Sequence, residues 1–511
     1  MVMAARVRKL LCTAAMSAGV FTASEASADV TLFSRKDITL NAALDIGGDA
    51  FYFPNANFGT GSYAPHKAGY YTRTKNVGLG ELYGQPMLSG TWQTPWGFSV
   101  FGLVSAIGST TLGDGDAESV SQTSGTPRQV NLEDANLGVK IPLNGKRRLI
   151  IEGGRQKFQI DDGFLMGKGA YSSGERGAWW YAPRFAFSGP GVIKYEGTSI
   201  RSDVFMLENN SNNRQTYGND KPETKFVGFD VTLFRSRPDG DGGSSYGDRA
   251  AYVTLTYFYV RHADKGAAYD YSNRADRQGM SVTALSWGGT PFAMKSRPFT
   301  KNITFYGNFV SEQNSHAGNG YKGVSAYAVY VEPGYTFSRV PWRPHVFYRY
   351  TRFSGGRDPH SRTKHNYDTF FLYDGARYTY GGYWPGEIVG NNMSPLSNME
   401  VHQFDITGVP PVHLLKKDDE LKLGLHFYDL AYLYPTGAGL PAGTKRHMSD
   451  EVNVSAEYAF DANTSGAIAA GAAFSGPAGR ALAKAGVPDG QTMPKIHGAS
   501  GVMEIYFYKH F

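Results

Sequence analysis

The chain has 511 residues, including 63 Gly, 33 Tyr and 31 Phe, and its mean hydropathy is −0.36. It is too polar for a bundle of membrane helices, and no stretch after the amino terminus offers about 18 consecutive apolar residues. The single Cys, Cys12, excludes disulfides and thiolate metal sites from the remainder of the chain. The formal net charge of +6 is small for this length and identifies no partner.

The amino-terminal segment has the three parts of a secretory signal. Basic residues stand within the first nine positions, an apolar stretch follows over 10–21, and Ala26-Ser27-Ala28 supplies the small residues that a signal peptidase requires. The apolar stretch is far shorter than the roughly 20 residues of a spanning helix. We predict a signal peptide over residues 1–28 and a mature chain that starts at Asp29.

Alternation of apolar and polar residues is the main signal in the remainder of the chain. It is clear in Asp134 to Ile141, Lys225 to Leu233, Glu420 to Tyr428 and Glu451 to Phe460. A soluble β-sandwich would alternate in the same way. Because the alternation persists from about Ile38 to Phe511 with no helical domain between, it predicts an all-β fold, a transmembrane antiparallel β-barrel.

The connections between these strands predict the topology. Nine long polar stretches alternate with eight shorter turns, which indicates about 18 strands with both termini in the periplasm. Residues 29–511 would then form a single barrel domain with long extracellular loops. The last strand ends on Phe511, an ending typical of bacterial outer-membrane barrels, although Lys509 stands where an aromatic residue is usual. Ala478 to Ala485 is compatible with a short helix in the last long loop.

The alternation also predicts which charged side chains face the lumen, where a pore acts on its solute. Arg155 follows Gly153-Gly154, at which a bulge would change the phase. Opposed charges in a lumen order water and bias which solutes enter, but such charges can equally brace the wall. The candidate pore-lining residues are Arg148, Glu152, Arg155, Arg349, Gln403, Asp405, Lys422, His426 and Glu457.

Three stretches resemble the alginate-export family of outer-membrane barrels. The first is Asp134 to Val139, followed by Gly154-Arg155-Gln156 and Asp161-Asp162-Gly163. The second is Tyr380 to Asn391, leading to Ser397-Asn398-Met399, and the third is Leu421 to Tyr428, followed by Asp450 to Asn453. The resemblance runs from about residue 130 to the end. It implies a monomeric barrel of eighteen strands that exports an acidic polysaccharide through an Arg-rich constriction. It also implies that Gln156, Trp384 and Glu387 are motif positions.

We therefore expect an outer-membrane channel of a Gram-negative cell that exports an acidic or neutral polysaccharide or oligosaccharide. The alternative is a nutrient porin that takes up small anionic or sugar solutes. An enzyme would require a Ser/His or Asp/His pair, and His402 and His426 have acids and hydroxyls nearby in sequence but no motif. We expect no enzymatic activity, cofactor, bound metal or nucleic acid. The expected partners are outer-membrane lipid, the glycan or sugar, and periplasmic export or assembly proteins.

Overall fold

The computed structural model describes most of the chain after residue 28. The described ranges are 29–65, 71–114, 128–169, 185–209, 224–236, 249–263, 277–315, 323–358, 360–373, 377–378, 380–394, 396–417 and 419–511. The predicted signal peptide lies outside these ranges, so its cleavage stays a prediction. Among the described residues, no helix is both long enough and apolar enough to cross a membrane.

The described residues are mostly β-strands, as the alternation predicts. In chain order the strands are β1 (Val30–Arg35), β2 (Ile38–Phe53), β3 (Ser62–Pro65), β4 (Tyr71–Thr74), β5 (Val77–Gln93), β6 (Ser99–Gly113), β7 (Arg128–Pro142), β8 (Arg148–Arg155), β9 (Ser188–Glu196), β10 (Ile200–Glu208), β11 (Thr224–Ser236), β12 (Arg249–Ala263), β13 (Ser281–Gly289), β14 (Ile303–Asn314), β15 (Gly323–Thr336), β16 (His345–Phe353), β17 (Thr363–Lys364), β18 (Met399–Gly408), β19 (Glu420–Tyr432), β20 (His447–Asp461), β21 (Thr464–Ser475) and β22 (Ala499–His510). One helix, α1 (Pro477–Ala485), lies in the last long loop, as expected.

The predicted barrel of 18 antiparallel strands is confirmed. It consists of every strand except β1, β3, β4 and β17, and it closes where β2 pairs with β22. At this seam Leu44 and Phe511 exchange two backbone hydrogen bonds, of 3.1 and 2.9 Å. Strand β1 continues the seam by pairing with the first residues of β2. Full closure leaves no barrel strand with an open edge.

The connections differ in length at the two ends of the barrel. One end carries the shorter turns, which in the described part of the chain lie at 94–98, 143–147, 197–199, 290–302, 337–344, 409–419 and 462–463. The other end carries the generally longer loops, including 54–76, 354–398 and 476–498. Because outer-membrane barrels keep short turns in the periplasm, this asymmetry puts the start of β2 and the end of β22 on the periplasmic side.

The two faces of the barrel wall have opposite character. Large apolar side chains point outward and stay exposed, among them Leu137 at 65%, Met503 at 61% and Ile468 at 59%. The alternate positions point inward and are buried, many of them polar, such as Glu332 and Asp405. This arrangement suits a wall with lipid outside and a polar lumen inside.

Two loop segments fold back into the lumen from the extracellular end. We call residues 156–169 the first inward segment and residues 354–398 the second inward segment. They meet in a parallel bridge between Met166 and Phe371. Their aromatic rings pack with rings from the wall, and Phe164, for example, lies 4.9 Å from Tyr330 between ring centroids. The main hydrophobic core of the molecule therefore lies inside the barrel.

Candidate functional site

A buried ion pair on the inner wall marks the middle of the lumen. Glu332 of β15 and Arg349 of β16 are 0% and 1% exposed. The Arg349 Nε atom donates to Glu332 Oε2 at 2.8 Å, and its Nη1 atom donates to Gln403 Oε1 at 3.0 Å. Arg349 and Gln403 therefore both point into the barrel. Charge-assisted bonds of this kind are among the stronger polar contacts in proteins.

The second inward segment covers this ion pair. Arg377 Nη1 and the Tyr378 hydroxyl donate to Glu332, at 3.0 and 2.7 Å. From the wall, Arg349 donates to the carbonyl oxygen of Gly382 at 2.7 Å. Burial lowers the pKa of Arg377, but the Glu332 carboxylate and the neighbouring tyrosines together raise it more, so the pKa lies above its usual range. Glu332 thus joins the wall to the inward segment.

A hydrogen-bonded triad of side chains lies next to this ion pair, on β18, β19 and β20. His426 Nδ1 lies 2.7 Å from Asp405 Oδ2, and its Nε2 lies 3.0 Å from Ser455 Oγ. All three side chains are buried. Gly381 and Gly424 pack against this triad so closely that an added Cβ would lie within 2.5 Å of it. Because no room remains beside the Ser455 hydroxyl for a substrate, we regard the triad as structural.

The second inward segment is fixed to the wall at two further points. Arg277 makes two hydrogen bonds of 2.5 Å to Asp368, and both side chains are buried. Glu451 of β20 accepts the backbone N–H groups of Ile388 and Val389, both at 2.9 Å. The motif residues lie in this part of the segment. Trp384 packs against the core, and Glu387 accepts a hydrogen bond of 2.6 Å from Asn391.

The first inward segment is fixed in the same way. Asp161 accepts from Arg249 of β12 and from Ser286 of β13, and all three side chains are buried. At the start of the segment, the backbones of Gln156 and Phe187 pair with each other. The Gln156 side chain is buried and turns back to the carbonyl oxygen of Gly154, at 3.4 Å. The motif position Gln156 therefore supports the base of the segment.

Three ion pairs of partly exposed side chains lie nearer the short turns. Arg148 pairs with Glu196, Lys194 with Glu152 at 3.3 Å, and Lys422 with Glu457 at 2.8 Å. Arg148, Glu152, Lys422 and Glu457 therefore lie in these pairs on the inner face of the wall. Because each named cation has its own carboxylate, the net charge of these pairs is close to zero.

Arg155 requires a correction, because its side chain does not line the lumen. The pairing of β7 with β8 is regular, so no bulge occurs at Gly153-Gly154. Arg155 lies opposite Ala135, in phase with the outward-facing Leu137. Its guanidinium donates to the carbonyl oxygens of Leu132 and Glu133, at 3.2 and 3.1 Å. It therefore stabilises the wall.

Sequence reasoning missed the charges that hold the inward segments. Glu332 carries a usable signal, because it continues the face of Tyr330 in a strand that is otherwise largely apolar. Asp161 belongs to the motif Asp161-Asp162-Gly163, but the motif does not identify its partners. Asp368 and Arg377 carry no signal, because they lie in a segment without a strand or helix period. Their partners are distant in sequence, so only the folded barrel brings them together.

Comparison with known proteins adds little beyond the architecture. No family model matches the chain and no curated protein is significantly similar to it, so the resemblance to the alginate-export family stays a prediction. Solved barrels from Pseudomonas aeruginosa cover 92% of this chain. They include OccK9 (OpdG), with 8% identity, 98% of its own chain covered and a TM-score of 0.49. OccD3 (OpdP) has 10% identity, 91% of its own chain covered and a TM-score of 0.46. OpdK with vanillate has 10% identity, 98% of its own chain covered and a TM-score of 0.44. Likenesses this weak carry no information about the solute.

The fold and the lumen define the class of this protein. It is a transmembrane β-barrel of the outer membrane, because a closed antiparallel wall has an apolar outer surface and buries polar side chains on its inner face. The expected outer-membrane location is thereby confirmed.

Proposed function

We propose that the protein is a passive porin for small polar solutes and acts mainly in nutrient uptake. The observation that carries this proposal is the pair of inward segments, which occupy the middle of the lumen. Asp161 of the first segment contacts Arg249 of β12 and Ser286 of β13 through buried hydrogen bonds. In the second segment, Asp368 contacts Arg277, which lies just before β13, and Arg377 contacts Glu332 of β15. A path narrowed in this way suits a monosaccharide or a small organic ion.

Export of a polysaccharide is less well supported. A polymer would need a wide continuous path, and the inward segments would have to move to provide one. Moving them would separate buried ion pairs such as Arg277 with Asp368, at a cost of several kcal/mol for each charge left buried without its partner. It would also separate the aromatic contacts of Phe164 and Phe371 with the wall.

The charges of the lumen point to weak selection between anions and cations. Arg148, Arg349 and Lys422, which by themselves would favour anions, each contact a carboxylate. Paired charges still create a strong local field, because both signs lie side by side in a lumen of reduced dielectric. Such a field suits neutral sugars and small dipolar solutes.

The test is a liposome-swelling assay with purified protein and a size series of sugars. We expect rapid swelling with pentoses and hexoses, slower swelling with disaccharides and almost none with linear hexasaccharides. A neutral glucose series and an acidic uronate series of matched length separate the effect of size from that of charge. Rapid entry of an acidic hexasaccharide would contradict the uptake proposal and support polymer export.

A further inference from the structure

Three metal-ligating side chains meet on the outer surface of the barrel, near the extracellular ends of β19 and β20. Asp429 lies directly opposite Asp450 in the ladder of these strands, and His447 lies beside both. Asp429 and Asp450 are each two residues from an outward-facing apolar residue, Phe427 and Val452 respectively, so both carboxylates lie on the outer face. The three side chains are 39 to 46% exposed. The group is therefore outside the lumen and accessible.

A bulge brings His447 to this surface. Regular alternation would turn His447 inward with Ser449 and Glu451. The register of β19 and β20 shifts between Leu430 and Ala431, and the extra residue, Met448, is fully buried together with Ser449. The shift reverses the phase, so His447 shares the outer face with Asp450. Bulges often redirect a side chain in this way at functional sites.

The distances within the group suit a shared metal ion better than hydrogen bonds. His447 Nε2 lies 3.5 Å from Asp450 Oδ1 and 3.7 Å from Asp429 Oδ1. Both distances exceed the ordinary hydrogen-bond range of about 2.7 to 3.2 Å. A tetrahedral metal ion with ligands at about 2.0 to 2.2 Å would separate those ligands by roughly 3.3 to 3.6 Å. All three ligand atoms lie within 4.8 Å of one another.

The surroundings favour a cation between the two carboxylates. Like charges directly opposite each other destabilise a pair of strands. The nearby Arg446 does not relieve this repulsion, because it pairs with Glu400 at 2.6 Å. Gly476 packs so closely on the imidazole that a Cβ would lie 2.4 Å from His447 Nδ1. The ring is thereby held with Nε2 toward the carboxylates.

We propose that Asp429, Asp450 and His447 form a binding site for a divalent transition-metal ion, with Zn²⁺ as the best fit. An imidazole with two carboxylates favours zinc over magnesium or calcium, which prefer oxygen ligands alone. Three protein ligands leave at least one coordination position open toward the membrane surface, where water or a lipid phosphate oxygen would complete the shell. A bound ion would clamp β19 to β20 independently of the pore.

The test uses the full-length barrel, without a polyhistidine tag, in detergent micelles. Equilibrium dialysis measures Zn²⁺ binding, and Co²⁺ serves as a spectroscopic substitute. We expect one saturable Zn²⁺ per barrel and the intense visible absorption of tetrahedral Co²⁺. His447→Gln and Asp450→Asn should each weaken binding by roughly tenfold or more, since loss of a ligand costs at least as much as loss of its outer support.

His413→Gln is the matched control. His413 is an exposed histidine in the turn 409–419 at the opposite end of the barrel, where its Nδ1 atom lies 3.1 Å from Asp419 Oδ1. Its loss should leave Zn²⁺ affinity unchanged. Mobility of unheated samples on gels confirms that each variant is folded. The proposal is overturned if wild-type protein binds no Zn²⁺ saturably, if His447→Gln binds it equally well, or if His413→Gln loses it to the same extent.

Discussion

Arg349 and Glu332 face into the barrel from neighbouring strands, with Nε and Oε2 2.8 Å apart and neither side chain accessible to water. Arg377 and Tyr378 of the second inward segment bind the same carboxylate. The pair is therefore a joint between the wall and the segment that narrows the lumen. Its removal should affect both the stability of the barrel and the size of the pore.

Arg349→Gln should lower the free energy of unfolding by about 3 kcal/mol, because it removes one partner of a buried ion pair. Urea unfolding in lipid vesicles, followed by tryptophan fluorescence, measures the change. Lys422→Gln is the control, since Lys422 and Glu457 are partly exposed and such a pair contributes about 1 kcal/mol or less. Equal losses in the two variants would contradict the structural role of Arg349.

The paired charges near the short turns give a prediction for ion selectivity. Arg148→Gln leaves the Glu196 carboxylate without its partner and should shift the reversal potential toward cations. The double variant Arg148→Gln with Glu196→Gln should return to the wild-type value. Planar-bilayer recordings measure both, and the shift should grow at low salt, where screening is weak. A shift of the reversal potential that persists in the double variant would show that Arg148 affects ion selectivity independently of Glu196.

The orientation of the barrel can be tested by cysteine labelling, because Cys12 is the only Cys. Thr444 lies in the loop 433–446, and Asn144 lies in the short turn 143–147 at the opposite end, where it is exposed. On intact cells an impermeant thiol reagent should label Thr444→Cys and should not label Asn144→Cys. Labelling of the second variant alone would reverse the assigned orientation.

The carboxyl terminus should be needed for closure of the barrel. Phe511 exchanges two backbone hydrogen bonds with Leu44, next to the seam between β2 and β22. Deletion of Phe511 should therefore reduce the amount of folded, heat-modifiable protein in the outer membrane. Phe511→Ala is the control for the side chain, because it keeps the backbone bonds. A normal folded yield after the deletion would count against this role.

Strand alternation was enough to predict the barrel, because successive side chains of a strand point to opposite faces. It indicates the inward direction that Arg349, Gln403, Asp405 and Lys422 have in the structure. The inward assignment of Arg155 required a bulge at Gly153-Gly154, but β8 alternates regularly there and Arg155 points outward. The irregularity lies in β7 instead, where consecutive acids, Glu133 and Asp134, are both buried. No local pattern indicates such a change of phase.

The role of the inward charges was harder to predict than their direction. Alternation identifies Arg148 as inward but cannot identify Glu196, 48 residues away, as its partner. The resemblance to the alginate-export family implies an Arg-rich constriction for an acidic polysaccharide, and such a constriction would need cations without carboxylate partners. The inward segments were likewise hidden, because a loop has no period that distinguishes an outward course from one into the lumen.

Single-channel conductance before and after removal of the second inward segment tests the central claim most directly. Phe353 and Met399 are ladder partners, so a short Gly/Ser turn can replace residues 356–396 without stretching β16 or β18. Replacement of residues 439–443, in another loop at the same end, is the control. If the inward segment narrows the lumen, conductance rises several-fold in the first variant and stays at the wild-type value in the second. Unchanged conductance in a folded first variant would contradict the account.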